Sequence, residues 1–203
     1  MSCRVRTREL TEPAREPVTL EEARLWARVD PDDTTQDAML LLCIKAARRQ
    51  AENITGRTFV ERTFETSYDY FPSHVIEIPR VPLQSISYIT YLDVDGLWQT
   101  LAGSPEEFLV DTNREPGLIM PLFAEVWPTT YGQRTEEVKI GYTAGYATIE
   151  KIPATLKLWM QMKIATFDAF REHLAQGQGV SELPRSNVDG LLDELIVGTQ
   201  FGR

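Results

Sequence analysis

The stretch Gly141-Tyr142-Thr143-Ala144-Gly145-Tyr146 decides how this chain is put together. It joins two kinds of sequence. Before it, from Thr58 to Tyr142, β-branched and aromatic residues alternate between turn signals, which is the pattern of strands. After it, Pro153 opens a helical run, at a position where a missing N–H costs little. Glycines and tyrosines at such a junction read as a turn between sheet and helix. They mark where a β block hands the chain back to a helical frame.

Upstream, Thr19 with Glu22 three residues later forms a capping box, and Leu20, Ala23, Leu25 and Trp26 supply an apolar face. This first helix spans 19–29 and stops before Pro31. Asp30-Pro31-Asp32-Asp33 is a polar turn. A second helix over 35–56 carries Leu40, Leu41, Ile44, Ala47, Ala51 and Ile54 as a core-facing stripe and ends at Gly56, a natural left-handed cap. Between 58 and 142 the predicted strands are Phe59–Tyr70, Val75–Ile78, Ser85–Asp93, Leu97–Leu101, Phe108–Asp111, Leu118–Met120 and Glu137–Tyr142, with a hairpin at Asp95-Gly96. A third helix over 153–174 shows Leu156, Trp159, Met160, Ile164, Phe167 and Phe170.

The fold class is therefore α+β. Two N-terminal helices and a long third helix form a helical frame, into which a small antiparallel β domain is inserted. Residues 1–17, rich in charge and holding Pro13 and Pro17, read as a flexible N-terminal arm. Residues 18–175 are the core. Residues 176–203 are a C-terminal tail with a short amphipathic helix carrying Leu191, Leu192, Leu195 and Ile196. Such a tail either docks in a partner's groove or folds back on its own domain.

Composition narrows the function. The chain has 203 residues and a net charge of −9. Tight binding to a phosphate backbone needs clustered Lys and Arg, which an acidic chain does not offer. Acidity serves solubility, and it also suits a passage through which DNA slides without sticking. No run of about 18 apolar residues suggests a membrane span, and no signal-peptide core follows the basic N-terminus, so synthesis in the cytoplasm is expected. Cys3 and Cys43 form no disulfide framework.

Chemistry is not written in the motifs. His74 and His173 are the only histidines, and neither lies in a catalytic or zinc-binding pattern. Asp93-Val94-Asp95-Gly96 has a faint calcium-loop look but reads better as a hairpin turn. Asp30, Asp32 and Asp33 read as an interhelical turn. Gly177 and Gly179 form a hinge, not a phosphate cradle. The expectation is no catalytic residue, no metal and no cofactor.

The order of the pieces resembles a known family. Thr19-Leu20-Glu21-Glu22-Ala23 opens the folded part, and Thr55-Gly56-Arg57 ends the second helix. Pro79-Arg80, Pro82-Leu83-Gln84-Ser85-Ile86, Tyr91-Leu92-Asp93, Asp95-Gly96, Pro116-Gly117, Trp127-Pro128 and Tyr142-Thr143-Ala144-Gly145-Tyr146 follow, and then Ile152-Pro153. This series, over about residues 18–175, resembles the head–tail connector (adaptor) proteins of long-tailed bacteriophages and of phage-derived gene transfer agents. The resemblance implies a virion protein at the head–tail interface. It implies a homo-oligomeric ring, commonly a dodecamer, under the portal protein, with a stopper or tail-completion protein on its other side. DNA would pass through the channel without sequence-specific binding. The family's C-terminal segment reaches into the portal, which makes Leu191, Leu192, Leu195, Ile196 and Phe201 the expected portal-binding positions. No motif marks the residues that line the channel. Two other readings compete: a stopper or tail-completion subunit, and a small hydrolase built on the β block.

Overall fold

A computed structural model describes residues 4–72, 75–169, 188 and 190–197. Its elements are mixed α and β, and its sheets are antiparallel. The chain divides into two compact units, Met1–Ala14 with Val60–Ala147, and Arg15–Phe59 with Thr148–Arg203.

The first unit is built of strands. β1 (Val5–Glu9), β2 (Arg62–Tyr68), β3 (Ile76–Glu77), β4 (Leu83–Leu92), β5 (Trp98–Thr100), β6 (Phe108–Asp111), β7 (Leu118–Pro121) and β8 (Val138–Ala144) form two sheets. One has the order β1-β2-β8-β4-β5, the other β3-β7-β6. Alternate residues of the larger sheet (Phe64, Tyr68, Ile89, Val138, Ile140 and Tyr142) point into a core shared with Ile76, Phe108 and Ile119 of the smaller one. Phe64 stacks on Tyr142 with ring centroids 5.7 Å apart. The alternation expected in β4 is interrupted by two register shifts against β8, at Leu83/Ser85 and Ile86/Tyr88.

β1 corrects the expectation of a flexible arm over 1–17. Val5 pairs with Tyr68 and Glu9 with Phe64 at the edge of the sheet. Thr7 Oγ1 lies 2.9 Å from Thr66 Oγ1, and Arg8 forms a 2.7 Å ion pair with Glu65. The arm's composition misled because an edge strand is held by its backbone ladder and cross-strand polar pairs, not by apolar burial. The arm's last residues belong to the second unit, where Glu16 pairs with Arg48 and Val18 is buried.

The second unit is helical. α1 (Leu20–Ala27) starts at the predicted capping box: Glu22 N donates to Thr19 Oγ1 and Thr19 N donates to the Glu22 carboxylate. It ends early because Arg28 takes a left-handed conformation, φ 57°. α2 (Asp37–Thr55) starts after Gln36, which makes no side-chain cap, and ends at left-handed Gly56. α3 (Ala154–Ala169) follows Pro153 and packs on α1 and α2. Phe170 and Leu174, placed in the third helix by sequence, lie outside the described residues. The tail helix is a 3-10 helix, Gly190–Leu195, packed on α2 and α3.

Members of two expected apolar stripes are turned outward. Leu25 and Trp26 of α1 are exposed, and only Ala23 of that helix is buried. Leu41 and Ile54 of α2 are exposed, while Leu40, Ile44, Ala47 and Ala51 are buried. Helical spacing alone accommodates a stripe wide enough to include both sets; the packing of α3 selects the narrower one.

Candidate assembly interfaces

The tail segment is built onto the end of α2. Arg57 Nε donates to Leu195 O at 2.6 Å, and Val197 N donates to Thr55 O at 2.9 Å. Thr155 Oγ1, at the start of α3, donates to Glu194 Oε1 at 3.0 Å. Leu192 and Leu195 are buried, Leu191 is half-buried and Ile196 is 46% exposed. The residues proposed from sequence as one apolar face thus divide. Two hold the segment to its own unit and one faces solvent. Phe201 lies outside the described residues.

Three of the carboxylates singled out by sequence, Asp30, Asp33 and Asp93, accept from nearby backbone N–H groups. Asp93 Oδ1 accepts from Asp95 N at 3.0 Å and Leu97 N at 2.9 Å, and Oδ2 accepts from Gln99 Nε2 at 2.7 Å. The Gln99 and Leu97 donors hold its carboxyl below the ordinary range. Asp93-Val94-Asp95-Gly96 is therefore a hairpin turn. Asp30 accepts from Asp32 N, and Asp33 accepts from the hydroxyl and backbone N–H of Thr35, which lower its carboxyl. Among the described residues no group of three His, Cys, Asp or Glu side chains is placed to hold a metal. His74 and His173 lie outside the described residues.

Two buried ionic sites escaped the sequence reading. Glu137 is buried and accepts from Gly132 N, Gln133 N and Arg134 N at 2.7, 2.9 and 2.7 Å. Burial raises its carboxyl, and the backbone donors outweigh that, so it stays below the usual range. Arg48, buried in α2, pairs with Glu16 at 2.7 Å and with Glu52 at 3.0 Å. Both sites fix loops onto regular elements. The i,i+4 spacing of Arg48 and Glu52 was visible in the sequence, but their burial was not.

Two surface clefts accompany these sites. In the strand unit, a cleft of about 370 Å³ lies against Phe71 and Trp127, whose rings stack at 5.0 Å. In the helical unit a wider one, about 630 Å³, is lined by Arg24, Leu25 and Arg28. Arg24 there is engaged by Asp37 through three hydrogen bonds of 2.6–2.9 Å. What the surface offers instead is apolar area. Leu25 is 76% exposed and Leu42 67%, while Phe123, Val126, Val94 and Leu97 are exposed in the strand unit. Charge is uneven too: the strand unit holds 15 acidic against eight basic residues, and the helical unit 15 against 13.

The described residues thus combine buried ionic anchors, carboxylates that accept from nearby backbone N–H groups, and exposed apolar side chains. Residues 17–91, which hold the first part of that series of motifs, match the family model of phage gp6-like head-tail connector proteins. That family is one of structural connectors, not enzymes. No curated protein matches the sequence. The fold is similar to that of a chain in the virion of a native gene transfer agent particle, with a TM-score of 0.77, 19% identity, and 97% of this chain and 98% of that one covered. It is similar to a chain in the neck of an empty gene transfer agent particle computed with C6 symmetry, with a TM-score of 0.76, 20% identity and 98% of each chain covered. A third similar chain comes from the neck of a native particle computed with C12 symmetry, with a TM-score of 0.67, 18% identity and 98% of each chain covered.

Proposed function

We propose that this chain is a head–tail adaptor. Copies of it form a ring, a dodecamer in this reading, beneath the portal protein of a virion or gene transfer agent particle. The ring extends the DNA channel and joins the head to a stopper or tail-completion protein. The helices are the frame of the subunit, and the strand unit is carried largely as an insertion, residues 60–147, completed by the N-terminal strand. One observation supports this reading most: the fold follows, over 97–98% of the chain, chains from particles whose necks were computed with C6 and C12 symmetry.

The chemistry is compatible. A closed ring needs faces for its neighbours, and the exposed leucines of α1 and α2 supply apolar area. An acidic surface lets DNA pass without being held. The C-terminal segment is the portal-docking part. Within it, Leu192 and Leu195 anchor the segment, and Leu191, Ile196 and Phe201 are left for the portal.

Imaging the purified chain mixed with its portal by negative-stain microscopy tests the reading. A concentric ring under the portal is expected. A ring that joins tail components and never the portal would instead favour a stopper or tail-completion subunit.

A further inference from the structure

We infer that neighbouring copies of this chain are joined head to tail, the outer face of α2 on one copy meeting the tip of the β4–β5 hairpin on the next. This rests on the ring reading above and names the contact which that reading leaves open.

The helix face comes first. Ala38, Leu41, Leu42, Lys45, Ala46 and Arg49 follow at three- and four-residue steps, so they share one side of α2. All six are exposed. A solvent-facing helix side ordinarily carries mixed charge. This one carries two leucines, two alanines and only cations, in a chain whose net charge is −9. A face with that make-up suits an apolar and acidic partner.

The hairpin tip has that chemistry. Val94 and Leu97 are 60% and 61% exposed, and Asp95 beside them is exposed. Asp93 ties the tip together through Asp95 N, Leu97 N and Gln99 Nε2. The tip is thus held in shape before binding and loses little freedom on docking. Leucine contacts on both sides would exclude water from a Lys45–Asp95 pair and strengthen it.

The same complementarity disfavours contacts between like faces. Two α2 faces packed on each other would oppose cation to cation. Two tips would oppose acid to acid. Passed from each copy to the next, a pairing of unlike surfaces is heterologous, and it builds a ring where its rotation closes.

Charge reversal tests this on the full-length protein by sedimentation velocity. Lys45→Glu/Arg49→Glu on one chain and Asp95→Lys on another should each weaken self-association at least tenfold. Mixed in equal amounts, the two should assemble again in alternation. The acidic helix would then face the basic tip, and the unaltered helix the unaltered tip. Leu42→Ser and Leu97→Ser, which change no charge, should also weaken assembly. Wild-type rings with variants that assemble equally well would overturn this contact and leave the ring reading standing. So would a mixture that stays monomeric. A wild-type chain that remains monomeric at every concentration would overturn the ring reading and the contact with it.

Discussion

The ring of Tyr88 lies so close over Gly141 that a Cβ at residue 141 would stand 2.3 Å from Tyr88 Cε1. Tyr88 and Gly141 are partners across β4 and β8. The Tyr88 hydroxyl reaches on to β2, donating to Glu65 Oε2 at 2.6 Å, and Glu65 is held in turn by Arg8 of β1. Tyr88 thus bridges three strands, Glu65 carries the link on to a fourth, and glycine at 141 makes room for the ring. Gly141→Ala should lower stability by about 1–3 kcal/mol, the usual cost of overpacking. Tyr88→Ala should lose part of the same energy. The double variant should cost less than the two singles combined, as a thermal-denaturation double-mutant cycle would reveal.

Gly145 obeys a different constraint. Its φ is +111°, and a Cβ there would lie 2.6 Å from the Val60 carbonyl carbon and oxygen. Its N–H donates to Pro82 O at 2.9 Å, and its carbonyl accepts from Gln84 Nε2 at 2.9 Å. Gly145→Ala meets both strain and backbone overlap, so it should be less stable than Gly141→Ala. Denaturant titration of the two variants side by side checks the ranking.

Glu137 should give the protein a pH-dependent component of stability. Its folded carboxyl titrates below the ordinary glutamate value because backbone donors outweigh the burial that raises it. As pH falls, the unfolded chain therefore takes up the proton first. The stabilisation is whole above the unfolded value, roughly pH 4.3, and is lost as pH falls through the lower folded value. Glu137→Gln should be less stable at pH 7, and its loss of stability on acidification should be shallower. Denaturant midpoints measured between pH 3 and pH 7 would show the difference.

Arg48 sits buried between Glu16 and Glu52. Arg48→Met removes the cation and leaves carboxylates in a buried setting. A loss of about 3–5 kcal/mol is expected from breaking one side of such a network. Arg48→Met with Glu52→Gln should recover part of it. Urea denaturation of the helical unit's circular dichroism signal measures both.

In the proposed reading, the tail separates anchoring from docking. Leu192→Ala should destabilise the chain by about 2–5 kcal/mol, the cost of a cavity at a buried leucine. Ile196→Ser, at an exposed position, should change stability by no more than about 0.5 kcal/mol and weaken binding to the portal. Thermal melts and portal pull-down on the same two proteins test the division.

By itself the sequence determined the local elements. The capping box at Thr19 and Glu22, the left-handed stop at Gly56 and the hairpin at Asp95-Gly96 depend on residues within a few positions of one another. So do the strand boundaries of Phe108–Asp111 and the helix after Pro153. The order of those elements was enough to raise the connector resemblance. Tertiary structure alone decided which sides face inward. Leu41 and Ile54 fit a core stripe by spacing, yet α3 covers a narrower strip of α2 and leaves them outside. Val5–Glu9 has a polar composition, and only pairing with β2 some sixty residues away makes it a strand. Leu192 and Leu195 anchor while Ile196 does not, because the ends of α2 and α3 meet one side of a short helix. Gly145 was legible as a junction residue, whereas Gly141, read as part of the same turn, lies inside β8; the need for glycine at both came from Tyr88 and from the Val60 backbone, which no local pattern brings to them. Local conformation is written in neighbouring residues; burial depends on which distant surface arrives, and that is a property of the packed chain.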